Sequence, residues 1–365
     1  MSDQHAENRS PEAPASRAPA TKEERRLLLT TKQRRLGERL AELGIFSVAT
    51  VSILAIFLIF VFVFRESAPI FFGSDEPTPV ADTTRAGDTA ATIATPEGID
   101  RGDYPTLDHD APVKLSYLWY DVWQPNSDHP AYGIFPIIIG TLKTTFVALA
   151  IATPLGILAA LYTAFFAPLW VREYLKPIIE LLAAFPSVVV GFFCLMTVAS
   201  VVQAVFGNSI RLNAVVGGIG LSIAVIPIIF TITDDALRAV PRSLREAALA
   251  LGASEWQAAY QVMLPAATPG IVAAVLLGLG RAFGETMIAL MATGNGQVMS
   301  WDLFVSVRTF AATIGAEMGE VVTGSPHYQV LFFLGVLLFT FSFVINFVTE
   351  FYVKKRLIKR FRGGE

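Results

Sequence analysis

The sequence is dominated by six long apolar stretches, at residues 44–64, 134–166, 177–202, 213–233, 268–293 and 329–352. The shortest of them contain 21 residues, and about 20 apolar residues suffice for a helix to cross a bilayer. Because lipid offers no hydrogen-bond partners, such stretches must satisfy their backbone groups internally. The sequence therefore predicts an all-α polytopic membrane protein with six transmembrane helices. The second stretch contains Pro154, which predicts a kink or break there.

The positive charges predict how these helices are oriented, because cytoplasmic loops carry an excess of Lys and Arg. With a cytoplasmic N-terminus, the inner segments hold 18 of these residues and the outer segments hold 6. We therefore expect both termini in the cytoplasm and the chain in the plasma membrane. The N-terminal tail, residues 1–43, is predicted to be disordered and then a charged helix, and residues 353–365 form a basic tail.

The first outer segment, residues 65–133, changes character along its length. Residues 74–113 carry nine acids against Arg85 and Arg101, hence a net charge of −7, and show no periodic pattern. This composition predicts a flexible acidic insertion. The residues after it are rich in Trp and Tyr, which predicts a short segment at the headgroup level. A later outer segment, residues 294–328, is amphipathic and predicts a helix against the outer surface.

The sequence shows no site for covalent chemistry or for a cofactor. It contains no GxxxxGK[ST] loop, so no ATPase site of its own is expected. Its single cysteine, Cys194, permits no intramolecular disulfide, and its four histidines form no metal-binding motif. We therefore expect no catalytic residues, no metal and no cofactor. A membrane-embedded enzyme finds no support, since no nucleophile with a base and no metal-ligand set lies at membrane depth.

A cytoplasmic segment between the fourth and fifth stretches, residues 243–265, predicts two short helices joined by a bend. Capping boxes of the type Ser-x-x-Glu and Ser-x-x-Gln begin at Ser243 and Ser254, and Gly252 separates them. An alanine-rich helix lets another backbone approach closely, and an apolar helix face suits a groove on a partner. From these residues alone, a docking element and a plain connector between two spans are both open.

The same segment resembles the EAA loop of ABC-importer permeases, whose pattern is EAA-x3-G-x9-I-x-LP, and it is called the EAA segment below. Every position matches except Val262, which replaces isoleucine. The resemblance implies a type I ABC-importer permease core over residues 134–352, with a cytoplasmic coupling helix that docks into a separate ATPase subunit. It assigns this coupling to Glu246, Ala247, Ala248, Gly252, Leu264 and Pro265.

The fifth stretch contains two charged residues, Arg281 and Glu285, at a depth where a charge costs about 3 kcal/mol on insertion scales. Their i, i+4 spacing places them on one helix face. Gly278, Gly280 and Gly284 form a smooth strip where a helix or a substrate can approach. Two interpretations are open. The pair fastens this helix to a neighbour, or it lines a polar pathway in which the guanidinium binds an oxyanion.

The stretch GLGRAFGET, residues 278–286, resembles the R-A-x-G-E-T signature of the phosphate-specific ABC permeases. Residues 180–191 and 132–145 resemble two further blocks of that family, and the resemblance covers residues 115–355 altogether. The sequence G-E-T-M and the large loop after the first helix favour the C-type subunit (PstC) over its paralogue (PstA). The acidic insertion departs from the shorter family members, and its charge would repel a phosphate anion.

The resemblance implies that Arg281, Glu285 and Thr286 belong to the phosphate pathway. Lys143 is a further cation inside the second stretch, and two interpretations of it are open. It snorkels to the outer headgroups, or it lines the pathway.

Together these resemblances imply the permease subunit of an ATP-driven inorganic phosphate importer, which forms the translocation pathway. The implied partners are a second homologous permease (PstA-like), two cytoplasmic ATPase subunits (PstB-like), an extracytoplasmic phosphate-binding protein (PstS-like), phosphate and the lipid bilayer, without nucleic acid. The alternatives are a permease for another oxyanion such as sulfate or molybdate, the PstA-type role, and a proton-coupled secondary carrier. The carrier would use Arg281 and Glu285 as a proton relay but leaves the EAA segment unexplained.

Overall fold

The structure is a computed structural model that describes residues 36–72, 112–127, 130–297, 299–349 and 351, with side chains from residue 42 onward. The expectations for most of the N-terminal tail, nearly all of the acidic insertion and the basic C-terminal tail lie outside these residues. Contacts between Cα atoms divide the chain into two units, Met1–Leu58 and Ile59–Glu365. The described part of the first unit is a run of helix whose large apolar side chains are exposed, as suits a helix in lipid.

In the part of the chain that the structure describes, five helices are long and apolar enough to cross a membrane, namely Glu42–Phe72, Phe135–Phe166, Ser187–Phe206, Ala214–Ala239 and Pro326–Phe347. The pair Glu255–Ala266 and Thr268–Gly284, bent by 68°, makes a sixth span if it is counted as one. Each span overlaps one of the six apolar stretches. The predicted all-α polytopic class is therefore confirmed.

In the described residues the chain begins with α1 (Leu36–Phe72), a 3-10 turn (Leu115–Leu118) and two short antiparallel strands, β1 (Trp123–Gln124) and β2 (Ala131–Tyr132). The helices that follow are α2 (Phe135–Leu161), α3 (Leu169–Ala184), α4 (Ser187–Phe193), α5 (Ala199–Phe206), α6 (Ala214–Ala239), α7 (Arg242–Ala250), α8 (Glu255–Gln257), α9 (Leu264–Ala266), α10 (Thr268–Gly284), α11 (Met287–Ala292), α12 (Phe310–Glu317) and α13 (Pro326–Phe347). Turns of π-helix extend α2, join α4 to α5 and join α8 to α9, at Tyr162–Phe166, Cys194–Val198 and Ala258–Met263.

The third apolar stretch, predicted as one span over 177–202, is divided. Helix α3 ends because Phe185 precedes Pro186, and a residue before proline is disfavoured in the helical region. Both residues adopt extended ψ angles, 133° at Phe185 and 129° at Pro186. The predicted boundaries are therefore wrong. The span is Ser187–Phe206, and α3 is a separate helix before it.

The fifth stretch, predicted as one helix over 268–293, is also interrupted. Helix α10 ends at Gly284, and Glu285 is extended with a ψ angle of 124° before α11 begins. Glycine is a weak helix former and Thr286 is β-branched, so the local sequence favours this break. At Pro154, where a kink or break was predicted, the break is wrong because α2 continues through the proline, and the kink stays a prediction.

Helix α6 packs against both α2 and α10, and small residues allow these helices to approach closely. A methyl group on Gly218 of α6 would overlap Val147 of α2. One on Gly278 of α10 would come within 3.0 Å of Val225 of α6. Helix α10, which carries Arg281, is therefore in direct contact with the middle of α6.

The segments predicted to lie outside the membrane contribute buried residues to the core. Trp123 and Tyr132, expected at headgroup level, are buried, and the Trp123 ring centre lies 6.2 Å from that of His327 in α13. Helix α12, expected against the outer surface, buries Phe310 and Ala312 and packs against α11 and α13. These side chains find apolar partners within the fold, and their position relative to the membrane surface stays a prediction.

Candidate functional site

Arg281 lies in the last turn of α10, and Glu285 follows directly after that helix ends. Their charged groups form an ion pair with 3.7 Å between Nη2 and Oε2. The Arg281 side chain is 51% exposed, whereas that of Glu285 is 10% exposed. A cation in the last turn is favourable because the carbonyl end of a helix carries partial negative charge. The pair therefore combines a shielded carboxylate with an accessible guanidinium.

The Arg281 side of α10 is open over the last two turns of the helix. Leu277 and Gly284 are exposed, and a methyl group on Gly280 or Gly284 would meet no atom within 4 Å. The opposite side of the same helix is packed, with the Phe283 ring stacked on Phe341 at 3.7 Å between centres. Helix α10 therefore presents a small-residue strip around one exposed cation.

Thr286 follows Glu285 and stands at the start of α11. Its side chain is partly buried, and its methyl group would be overlapped by a methyl group on Gly315 of α12. Three of the predicted pathway residues, Arg281, Glu285 and Thr286, thus come together at the break between α10 and α11.

Lys143 has a different environment from the other predicted pathway residues. It is buried in α2 and donates hydrogen bonds to the backbone carbonyls of Ser300, at 2.8 Å, and Asp302. It does not snorkel to the headgroups, so that interpretation is wrong. Its ammonium group ties α2 to the outer segment that precedes α12.

The EAA segment folds as two short helices around a glycine bend. Gly252 has a φ of +89°, a left-handed value that favours glycine. The second predicted capping box is confirmed. The Ser254 hydroxyl accepts a hydrogen bond from the backbone N–H of Gln257, and the side-chain oxygen of Gln257 accepts one from the backbone N–H of Ser254. The first is wrong, because α7 begins at Arg242 after Pro241 and Ser243 already lies inside the helix.

The residues assigned to coupling divide into an exposed and a buried set. Glu246, Ala247, Gly252 and Pro265 are exposed and Leu264 is partly buried, whereas Ala248 is buried, facing the rest of the segment. Additional apolar side chains that the EAA pattern does not mark are exposed here, and these are Leu244, Leu251, Trp256 and Tyr260. Leu251, beside the bend, is 90% exposed.

A buried ionic cluster between β1, α12 and α13 was missed by sequence reasoning. The Glu317 carboxylate at the end of α12 pairs with Arg308, with the ring of His327 at 3.0 Å, and with the indole N–H of Trp123 at 3.2 Å. Burial alone would raise the pKa of Glu317, but the hydrogen bond from His327 and the charge of Arg308 lower it overall. Burial, with a smaller effect of Glu317, raises the pKa of Tyr132 to about 12.

This cluster explains why the outer segments are packed inward, since it ties β1, α12 and α13 together. The histidine and the arginine lie in polar stretches that gave no local signal of pairing. Among the described residues, no group of three or more His, Cys, Asp or Glu side chains could hold a metal ion.

A comparison with known families matches residues 152–358 to the family of binding-protein-dependent transport system inner membrane components. The match covers more than half of the chain and includes the EAA segment and Arg281. The chain belongs to this family. It is therefore a multi-pass membrane component of a binding-protein-dependent transport system, as the EAA pattern implied, while the bounds 134–352 of the permease core stay a prediction.

Relatives of this permease carry transport names. A Bacillus subtilis protein, probable ABC transporter permease protein YqgH, is 35% identical over 236 residues, which are 65% of this chain and 76% of the relative. The phosphate transport system permease protein PstC 1 of Mycobacterium bovis is 36% identical over 252 residues, 62% of this chain and 75% of the relative. The resemblance to PstC-type permeases is thus confirmed.

Among solved structures, the permease is similar to the MetNI methionine ABC transporter in an inward-facing conformation. The TM-score is 0.46 at 21% identity, over 61% of this chain and 94% of that one.

Proposed function

We propose that this chain is the C-type permease subunit of an ATP-driven importer of inorganic phosphate, and that Arg281 binds the anion as it crosses the membrane. The proposal is supported by the family membership and by relatives named as phosphate transport system permeases. The permease pairs with a PstA-like chain, two PstB-like ATPase subunits in the cytoplasm and a PstS-like phosphate-binding protein outside.

The accessible guanidinium of Arg281 is the observation that carries the substrate assignment. Its contact with Glu285 is an ion pair at 3.7 Å, beyond hydrogen-bond length. The planar fork of N–H donors is therefore available to an oxyanion, which it can bind through two parallel hydrogen bonds. A tetrahedral phosphate fits this chemistry.

Glu285 weakens the binding of the anion to Arg281 and keeps it reversible. A lone cation at membrane depth would hold an anion too strongly for rapid release, because Coulomb attraction is large where the dielectric constant is low. The carboxylate, 10% exposed, lowers the net charge of the site without occupying the donors of Arg281. The Thr286 hydroxyl adds a neutral polar group beside it.

The open strip of α10 faces the second permease chain, and phosphate passes between the two. The exposed positions of this strip suit a lining that closes and opens around a small anion, since Gly280 and Gly284 leave room on this chain. Lys143, whose ammonium group holds the outer segment, is assigned to the outer wall of the pathway and not to phosphate binding.

The EAA segment docks on the ATPase subunit and transmits its motion. Its exposed Glu246, Ala247 and Gly252 surround the bend, and Leu251 offers an apolar side chain to a groove on that subunit. ATP-driven closure of the ATPase pair moves this segment and opens the pathway outward, and hydrolysis resets it inward. Both termini lie in the cytoplasm, on the same side as the EAA segment.

Uptake of labelled phosphate by cells or vesicles with the full transporter tests the proposal. Arg281→Gln removes the cation, and Arg65→Gln makes the same change at another exposed arginine, in α1. We expect the first variant to lose nearly all uptake and the second to keep it. Unlabelled sulfate or molybdate should not compete. Equal uptake by Arg281→Gln and Arg65→Gln, or effective competition by sulfate, would overturn the substrate assignment.

A further inference from the structure

A second ionic junction, on the side of the EAA segment, is centred on Asp234 near the end of α6. The side chain of Asp234 is fully buried, and its carboxylate contacts groups from three elements. Arg238 of the same helix lies at 2.9 Å, Lys176 of α3 at 3.4 Å, and the Thr163 hydroxyl of the π-turn after α2 donates at 3.3 Å. Asp234 thus joins the last turns of α6 to the π-turn after α2 and to the middle of α3.

Helix α3 is fixed to the same junction by a second side chain. Arg172 donates to the backbone carbonyls of Thr163, at 2.8 Å, and Ala164, at 3.1 Å. Burial alone would lower the pKa of Lys176, but the carboxylates of Asp234 and Asp235 raise it overall, so its ammonium group is charged at neutral pH. The junction is therefore ionic. Arg172 fixes α3 to the π-turn, and Lys176 fixes it to Asp234.

The junction is continuous with the EAA segment. Only Val240 and Pro241 separate α6 from α7. The π-turn of the EAA segment contributes Ala259 and Met263 to one buried cluster with Leu237 and Val240 at the end of α6. A displacement of the EAA segment therefore reaches the helix end that carries Asp234.

The junction is also continuous with the helix that carries Arg281. At the start of α10, a methyl group on Gly270 would overlap the Cβ of Ala236, two residues after Asp234. Further along, Gly278 packs against Val225 and Ile229 of α6. Helices α6 and α10 thus touch at two levels, one beside the junction and one closer to Arg281.

Stability alone gives no reason for a buried carboxylate here, because a buried ion pair often contributes no more than apolar residues of the same volume. The directional hydrogen bonds of the Asp234 carboxylate do, however, hold several elements in one arrangement. We propose that Asp234 is a positioning residue that makes the EAA segment, α3 and the adjoining ends of α2 and α6 move as one body. ATP-driven motion then reaches the phosphate pathway. This inference rests on the coupling role proposed for the EAA segment.

The test compares phosphate uptake with ATP hydrolysis in proteoliposomes that contain the complete transporter and its binding protein. Asp234→Asn keeps the shape and removes the charge. The matched control is Asp235→Asn, because Asp235 contacts the same Lys176 at 3.4 Å but its side chain is 65% exposed. We expect Asp234→Asn to retain ATP hydrolysis while phosphate transported per ATP falls about tenfold, within the usual range of coupling between sites. Asp235→Asn should match the wild type, and Asp234→Glu should restore part of the ratio.

An unchanged ratio of phosphate transported to ATP hydrolysed in Asp234→Asn would overturn the inference, even if uptake and hydrolysis both fall by the same factor. If that variant does not assemble, Lys176→Gln removes the contact of Lys176 with Asp234 and leaves Arg172 in place. The Lys176 side chain is one-third exposed, and the same ratio of phosphate to ATP decides. Gly252→Arg separates this inference from the proposed function. Should Gly252→Arg abolish uptake while Asp234→Asn stays coupled, only the role of Asp234 fails. Should Gly252→Arg transport normally, the coupling role of the EAA segment fails first.

Discussion

Gly252 offers a clean test of whether the EAA segment docks on another protein. Its φ is +89°, and a methyl group placed on it would meet nothing within 4 Å. A large side chain at this position therefore strains the backbone but clashes with nothing in the described part of this chain. Any further loss must come from a partner that lies against the bend.

Gly207, after α5, is the matched control. It also has a positive φ, +66°, and open space around its Cβ position. A left-handed conformation costs an ordinary L-residue about 1–2 kcal/mol. Gly252→Arg and Gly207→Arg should therefore lower the free energy of unfolding by similar amounts, small enough for both proteins to remain folded in the membrane.

The two variants should differ in function. We expect Gly252→Arg to abolish ATP-driven phosphate uptake and to reduce the ATPase subunit recovered when the permease is purified from the membrane. Gly207→Arg should retain both. The assay is uptake of labelled phosphate alongside the ratio of ATPase to permease after purification. The reasoning is refuted if both variants transport equally, because the loss would then come from backbone strain and not from docking.

Three further outcomes follow from the same structure. Glu317→Gln breaks a buried ion pair and should lower the free energy of unfolding in detergent by about 3–5 kcal/mol, whereas the exposed Glu320→Gln should change it little. The pKa of Glu317 is lowered from 4.5, so its stabilising contribution should be complete above that pH and disappear as pH falls through the lower folded-state value. A pH titration of stability that is the same with and without Glu317→Gln would contradict this. Leu251→Ser should leave folding unchanged, because the side chain is 90% exposed, yet weaken retention of the ATPase subunit; unchanged retention would remove Leu251 from the docking surface.

The membrane spans and the family could be predicted from sequence because their signals are local. A run of apolar residues carries its own reason to be a helix in lipid, and the EAA pattern lies within 20 consecutive residues. Span boundaries failed where one or two residues decide the backbone, at Phe185–Pro186 and at Gly284–Thr286. At Pro154 the sequence predicted a break that does not occur, since neighbouring helices can support a proline inside a membrane helix.

The ionic clusters could not be predicted, because their partners are far apart in the sequence. Trp123 and Glu317 are separated by 194 residues, and Thr163 and Asp234 by 71. No spacing rule links residues at such separations until the fold brings them together. The pairing of Arg281 with Glu285 could be predicted from the sequence because an i, i+4 spacing is local, although the helix ends between the two residues.

The central claim is that this permease moves phosphate past Arg281 only when a separate ATPase drives it. The most direct measurement is phosphate accumulation in proteoliposomes with this chain alone, with the complete transporter, and with the complete transporter carrying Arg281→Gln, each with and without ATP. We expect accumulation only for the complete transporter with Arg281 intact and ATP present. Accumulation by this chain alone under a proton gradient without ATP would contradict the claim and favour a secondary carrier.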